Sequence, residues 1–206
     1  MQVRRTQAER SRKTQRKILD VTLTCLLEQG LRDTSTVDVA RRAGVSRGAL
    51  LHHYPSKDLL LKEALRHLLH DEIREVRQMA EGVDSGEIDF DAFLANLWDR
   101  FSGPMYMITL EFVTAARTDP VIKAALVPVA LEYNASLDEI WEQLLLRSSS
   151  EPRDRRLALN ATLCFLRGMG TQSVWRDDAQ LFNDMLDFWK QTLETAGILK
   201  SKDQKG

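Results

Sequence analysis

The sequence predicts an all-α fold of about nine helices: a three-helix N-terminal head linked by a long fourth helix to a larger helical body. Three observations lead there. Apolar residues recur at helical rather than alternating spacing along the whole chain, with glycine and proline stops between the periodic segments. Charge divides sharply, because residues 1–58 hold 12 Lys+Arg against 6 Asp+Glu while the remainder holds 17 against 24, within a net charge of -1. Such a split suits a polyanion-binding head on an acidic body. The third observation is a helix-turn-helix pattern inside the basic part, between Thr36 and Tyr54.

The first helix is expected from about Ser11 to Gln29. It follows a basic run (Arg4, Arg5, Arg10, Arg12, Lys13, Arg16, Lys17), carries Leu19, Leu23, Leu26 and Leu27 on one face, and stops at Gly30. Thr34, Ser35 and Thr36 offer capping hydroxyls to a short second helix ending at Gly44. Ser46 caps a third, from Arg47 to about His53, which Pro55 prevents from continuing. Ser56 caps the fourth, striped by Leu61, Leu65, Leu69, Ile73, Val76 and Ala80 and long enough to pass from head to body.

Residues 81–89 read as a loop, and Phe90, Phe93, Leu94, Leu97, Trp98 and Phe101 then give the fifth helix a bulky apolar face. Residues 105–116 are apolar on nearly all sides, as in a helix buried all round. Asp119-Pro120 opens a seventh helix to about Arg147, with a kink or break expected at Pro128. A serine linker at 148–150 precedes two last helices, from about Pro152 to Trp175 and from about Asp178 to Ala196. The expected domains are therefore 1–58, 59–200 and a flexible tail at 201–206.

Two cysteines inside apolar runs, no apolar run near the roughly 18 residues of a membrane span, and no signal core place the chain in the cytoplasm, away from membranes. No phosphate loop, nucleophile elbow or paired metal-ligand helix is visible, so an enzyme is not expected, nor a cofactor or metal. Glu63, His67, His70 and Asp71 have helical spacings that could present metal ligands, but read more simply as a surface stripe. A rival to DNA binding is a protein-interaction adaptor that keeps the helical body.

The decisive segment reads TVDVARRAGVSRGALLHHY. A helix-turn-helix needs a small residue where its helices touch, a glycine in the turn and apolar residues locking the second helix on the first. Ala40, Gly44 and the set Val39, Val45 and Leu50 meet those needs. With Leu50 inward, Arg47, Gly48, Leu51 and His52 lie on the outer face, available to base edges in a major groove. Ser46 and His53 border that face and complete the candidate surface with Ala49.

This segment, extended through residues 55–60, closely resembles the DNA-binding domain of the TetR family of repressors. The resemblance implies phosphate contacts from Thr36, Tyr54 and Lys57, and base approach by Arg47, Gly48 and Ala49. Leu51 stands where the family usually places a backbone-contacting tyrosine. The resemblance further implies a homodimer on a palindromic operator, an interface on the last two helices, and an effector cavity among the middle helices. The stripe Leu181, Phe182, Met185, Leu186, Trp189 and Leu193 is the expected interface. Walls for a largely apolar effector are expected from Trp98, Phe101, Met105, Tyr106, Phe112, Trp141, Phe165 and Met169, with Glu111, Arg117, Asn134 and Asn160 as its polar contacts. The function so implied is a repressor that binds its operator as a dimer and is released by that effector.

Overall fold

A computed structural model describes residues 7–145 and 150–199 of the chain. Arg4 and Arg5 of the basic run, most of the serine linker and the 201–206 tail lie outside the described residues. Within them the order is α1 (Gln7–Asp33), α2 (Thr36–Ala43), α3 (Arg47–His53), α4 (Lys57–Ser85), α5 (Phe90–Ser102), α6 (Pro104–Ala116), α7 (Pro120–Leu144), α8 (Pro152–Gln172) and α9 (Ala179–Thr195). No strand occurs among the described residues.

The helices group into two compact units. Of the described residues, the first takes 7–71 and 107–131, the second 72–106, 132–145 and 150–199. The first thus contains the predicted head together with most of α6 and the first part of α7.

In the first unit α1 and α2 pack together and α2 against α3. Ile18, Cys25, Val39, Ala40, Ala43, Leu50, Tyr54 and Leu60 form the head's core. Ser35 caps α2 by accepting from the Asp38 amide at 3.2 Å, and Ser46 caps α3 by accepting from Ala49 at 3.1 Å. Each cap gives a partner to an amide that the helix itself leaves unpaired. Gly44 ends α2 in the left-handed region (φ 64°), where its own amide and that of Val45 turn back to Arg41 and Ala40. α1 starts earlier than expected, by Gln7, while its helical backbone stops at Gly30 (φ 77°, ψ 174°) as expected and a separate short turn completes the element to Asp33.

The second unit is built on Phe93, Leu97, Phe101, Leu137, Trp141, Leu163, Leu166, Phe182 and Leu186, among other buried residues. α5 and α8 lie close together at Gly170, where a Cβ would fall 2.1 Å from the Phe101 carbonyl oxygen. That approach explains a mid-helix glycine that otherwise costs about 1 kcal/mol relative to alanine.

Two expected boundaries move. Residues 81–85, read as loop, belong to α4: Gly82 is buried beside Ile88, and the helix stops only where Gly86 takes φ 81°. The amides of Glu87 and Ile88 both turn back to the Gly82 carbonyl. The other is at Pro128, which lies inside α7 with helix on both sides, so no break in the element occurs there.

Candidate nucleic-acid interface

Buried Leu50 fixes which side of α3 faces out. Arg47, Gly48 and His52 are exposed and Ala49 and His53 half-buried, whereas Leu51, expected on the outer face, is half-buried against the core of the head. Ser46 is exposed, but its hydroxyl is engaged in the α3 cap. Gly48 has open space above it, the nearest atom to an added Cβ being the Ser46 hydroxyl at 4.0 Å. Nothing inside the unit requires glycine there.

Charge on the reader is sorted by pairing. Arg42 bonds Glu28 and, through Nε, Asp38 at 2.8 Å, and Arg41 bonds Asp38 as well. Asp38 also accepts from Gln29 Nε2 at 3.0 Å, joining α1 to α2. Hydrogen bonds from Gln29 and then Arg41 hold its carboxyl down at about 2. Arg47 has no such acid among the described residues, and its charge stands on the outer face of α3.

The residues expected at phosphates are placed differently from one another. Thr36 is half-buried at the first position of α2, next to the Ser35 cap. Lys57 is half-buried at the start of α4, where its Nζ donates to the Arg32 carbonyl at 3.0 Å. Tyr54 belongs to the core of the head, with 5% of its surface exposed. Burial, with a smaller effect from Glu63, pushes its phenol up to about 12. A buried tyrosine closing the end of α3 positions that helix whether or not its hydroxyl reaches a phosphate.

The potential metal stripe on α4 is engaged with α1. His67 Nε2 meets Asp20 at 2.8 Å, with Asp71 at 3.8 Å, and Asp71 faces Arg16 at 3.9 Å.

The expected effector residues fall in both units. Trp98, Phe101, Tyr106, Trp141, Phe165 and Met169 come together in or against the core of the second unit, where Met105 is exposed. Phe112, Glu111 and Arg117 belong to the first. Of the expected polar contacts, Arg117, Asn134 and Asn160 are exposed, and Asn160 is bonded to its own helix at the Arg156 carbonyl. Glu111 accepts from the Leu31 amide at 2.6 Å. The polar groups inside the second unit are others. Arg100 pairs with Glu72 at 2.8 Å and with Glu75, and Tyr106 donates to the Arg167 carbonyl at 3.1 Å. Burial pushes the Tyr133 phenol up to about 12, Glu72 adding to the rise while Arg167 and Arg100 oppose it. Arg100 Nε and Trp141 Nε1 are buried donors without a partner among the described residues. A signal for Arg100 was present, since it is a charge set inside the bulky run Leu97, Trp98, Phe101.

The stripe expected at a dimer interface faces the unit's own core. Phe182, Leu186 and Leu193 are buried, Leu181 and Met185 half-buried. Trp189 donates from Nε1 to Thr162 at 2.9 Å and stacks on Phe165 at 5.2 Å. The large apolar groups that α8, α9 and the turn between them leave exposed are Leu157, Val174, Trp175 and Phe188. Cys164 and Gly168 of α8 are exposed too, with nothing within 4 Å of a Cβ at Gly168.

Comparison with known proteins agrees with this geometry. Residues 18–64 match the family model described as bacterial regulatory proteins, tetR family. The chain is 30% identical over 195 residues to the HTH-type transcriptional regulator CymR of Pseudomonas putida, covering 94% of each protein. A transcriptional regulator from Rhodococcus sp. Rha1 shares the fold with a TM-score of 0.69 at 18% identity, over 91% of this chain and 99% of that one. A solved structure from Saccharomonospora viridis, in complex with choline, gives 0.63 at 16% identity, over 89% and 96%.

Proposed function

The chain belongs to the TetR family and is a DNA-binding transcriptional regulator, and from that premise we propose that it is a repressor holding an inverted-repeat operator as a homodimer. The observation that carries the reading is the outer face of α3. Arg41 and Arg42 on α2 are paired with acids, whereas Arg47 is exposed with no acid beside it among the described residues and adjoins an unobstructed glycine. An arginine so placed can make a bidentate contact to guanine, and Gly48 lets the helix come close to the bases. Thr36, Lys57 and the basic start of α1 supply phosphate contacts, which position the head without reading sequence. The proposed reader is residues 1–58, and the body that follows carries sensing and dimerisation.

One short recognition helix specifies too few bases alone, so two heads read half-sites about one turn, roughly 34 Å, apart. The partner is a second copy, and the proposed interface is the outward side of α8 and α9, where Leu157, Phe188 and the Trp175 turn are exposed and Gly168 leaves room for a close helix. The effector is an apolar molecule with a hydrogen-bond acceptor. In support, the second unit holds two buried donors, Arg100 Nε and Trp141 Nε1, for which no described residue offers an acceptor. Choline in the Saccharomonospora viridis protein is a ligand of that protein.

Selection of bound sequences from random DNA, followed by titration at several salt concentrations, tests the reading. An inverted repeat and a steep fall of affinity with salt are expected. Equal affinity for selected and random DNA would sink it.

A further inference from the structure

We propose that Glu111 is a positioning residue for DNA binding: its carboxylate, carried on α6, fixes the turn at residues 30–34 from which α2 and its phosphate-facing start emerge. The inference rests on the reading of α2 and α3 as the DNA reader.

Gly30 leaves the helix with φ 77° and ψ 174°, so the next amide, that of Leu31, is turned out of the α1 ladder. Leu31 is buried, and a buried amide without a partner is costly. Glu111 Oε1 accepts from it at 2.6 Å, a short, charge-assisted bond spanning 80 residues of sequence. The same oxygen would lie 2.9 Å from a Cβ at residue 30. Glycine is thus demanded there twice, by its positive φ and by the carboxylate lying against it.

The remaining polar groups of the turn are held from within the head. The Gly30 carbonyl accepts from the Thr34 amide at 3.2 Å and from its hydroxyl at 2.7 Å. Lys57 Nζ holds the Arg32 carbonyl. The next residue, Ser35, is the cap of α2, and Thr36 follows. Of these anchors, Glu111 comes from a segment distant in sequence. α6 is apolar around it, with Ile108 buried one turn before it and Phe112 buried as its next residue, so this carboxylate is the polar group the helix offers to the turn.

The test is fluorescence-anisotropy titration of full-length wild type and variants with the selected operator, each variant being checked by circular dichroism. Glu111→Ala weakens binding about tenfold, the scale set by losing a hydrogen bond to a charged group. Glu111→Gln stays within about twofold, because its amide oxygen accepts the same N–H. The salt slope is unchanged in both, since no phosphate contact is removed. Gly30→Ala also weakens binding, and by a smaller factor in the Glu111→Ala background, where the opposing oxygen is gone. Should Glu111→Ala not fold, Glu111→Asp keeps the charge but is a methylene too short, and binds more weakly than Glu111→Gln. Wild-type affinity in Glu111→Ala or Glu111→Asp, equal losses in Gln and Ala, or an altered salt slope overturns the proposal. A wild type that does not prefer the operator overturns the DNA-binding reading instead.

Discussion

Arg47 and Lys57 each bring one positive charge to the head, but their surroundings give them different work. Arg47 is exposed on α3 with no acid beside it among the described residues, whereas Lys57 is turned back on the Arg32 carbonyl. Arg47→Ala is expected to relax base preference at one operator position, by about 1–3 kcal/mol of discrimination. Lys57→Ala should lower affinity for all sequences alike, because phosphate contacts carry no sequence information. Competition between single-base operator variants separates the two, and a uniform loss in both would remove Arg47 from base reading. Asp38 sets a different kind of residue effect. Its carboxyl titrates at about 2 in the folded head against an ordinary 3.8, so between those values the unfolded chain binds a proton that the folded chain does not. Stability from this group is complete above about pH 4 and is lost as pH falls toward 2. Urea midpoints measured from pH 7 to pH 2 should therefore show a shallower acid limb in Asp38→Asn, together with a lower midpoint at neutral pH. An unchanged acid limb would mean that the folded head does not hold this carboxyl below its value in the unfolded chain.

At the scale of elements, α9 shows what a hydrophobic stripe can and cannot reveal. Periodicity identifies one apolar face correctly, yet it does not say whether that face meets the protomer's own core or a second copy. Here the stripe through Phe182, Leu186 and Leu193 is buried in the unit, and Phe188 points out. Two substitutions one residue apart therefore have different expected outcomes. Trp189→Glu places a charge where an indole stacks on Phe165 and bonds Thr162, and should unfold the second unit rather than yield folded monomers. Phe188→Glu should leave the fold intact and shift sedimentation toward monomer at micromolar concentration. A Phe188→Glu protein that stays fully dimeric would move the interface elsewhere. The bounds of α3 are legible in sequence because Ser46 and Pro55 enclose it, and each acts on its immediate neighbours. Those of α4 are not, since Gly82 and Gly86 look alike in sequence and only Gly86 takes the left-handed backbone that stops the helix. The same limit applies to Gly168 and Gly170: Phe101 presses against Gly170, while Gly168 opens outward. Gly170→Ala should lower the thermal midpoint markedly, its Cβ having no room against a backbone carbonyl, and Gly168→Ala should not.

For the whole molecule, local patterns sufficed for the fold class and the helix-turn-helix, whereas the role proposed for Glu111 depends on a contact across 80 residues that no spacing rule exposes. The distribution of aromatic side chains gives the sensing hypothesis its sharpest test. All four tryptophans, Trp98, Trp141, Trp175 and Trp189, belong to the second unit, and the DNA reader has none. Tryptophan emission therefore reports on the body alone, while operator affinity reports on the head. A compound that merely occupies the body changes emission and leaves DNA binding as it was, because a ligand with equal affinity for both states of the head shifts nothing. A true effector must move both signals over one concentration range. Linkage adds a second requirement: if the compound weakens operator binding by some factor, saturating operator must weaken the compound by the same factor. The expected outcome is an emission titration whose midpoint shifts to higher concentration when operator DNA is present, by the ratio measured independently from DNA release. A midpoint indifferent to operator, for every apolar acceptor-bearing compound that changes emission, would leave a DNA-binding protein whose body dimerises without sensing.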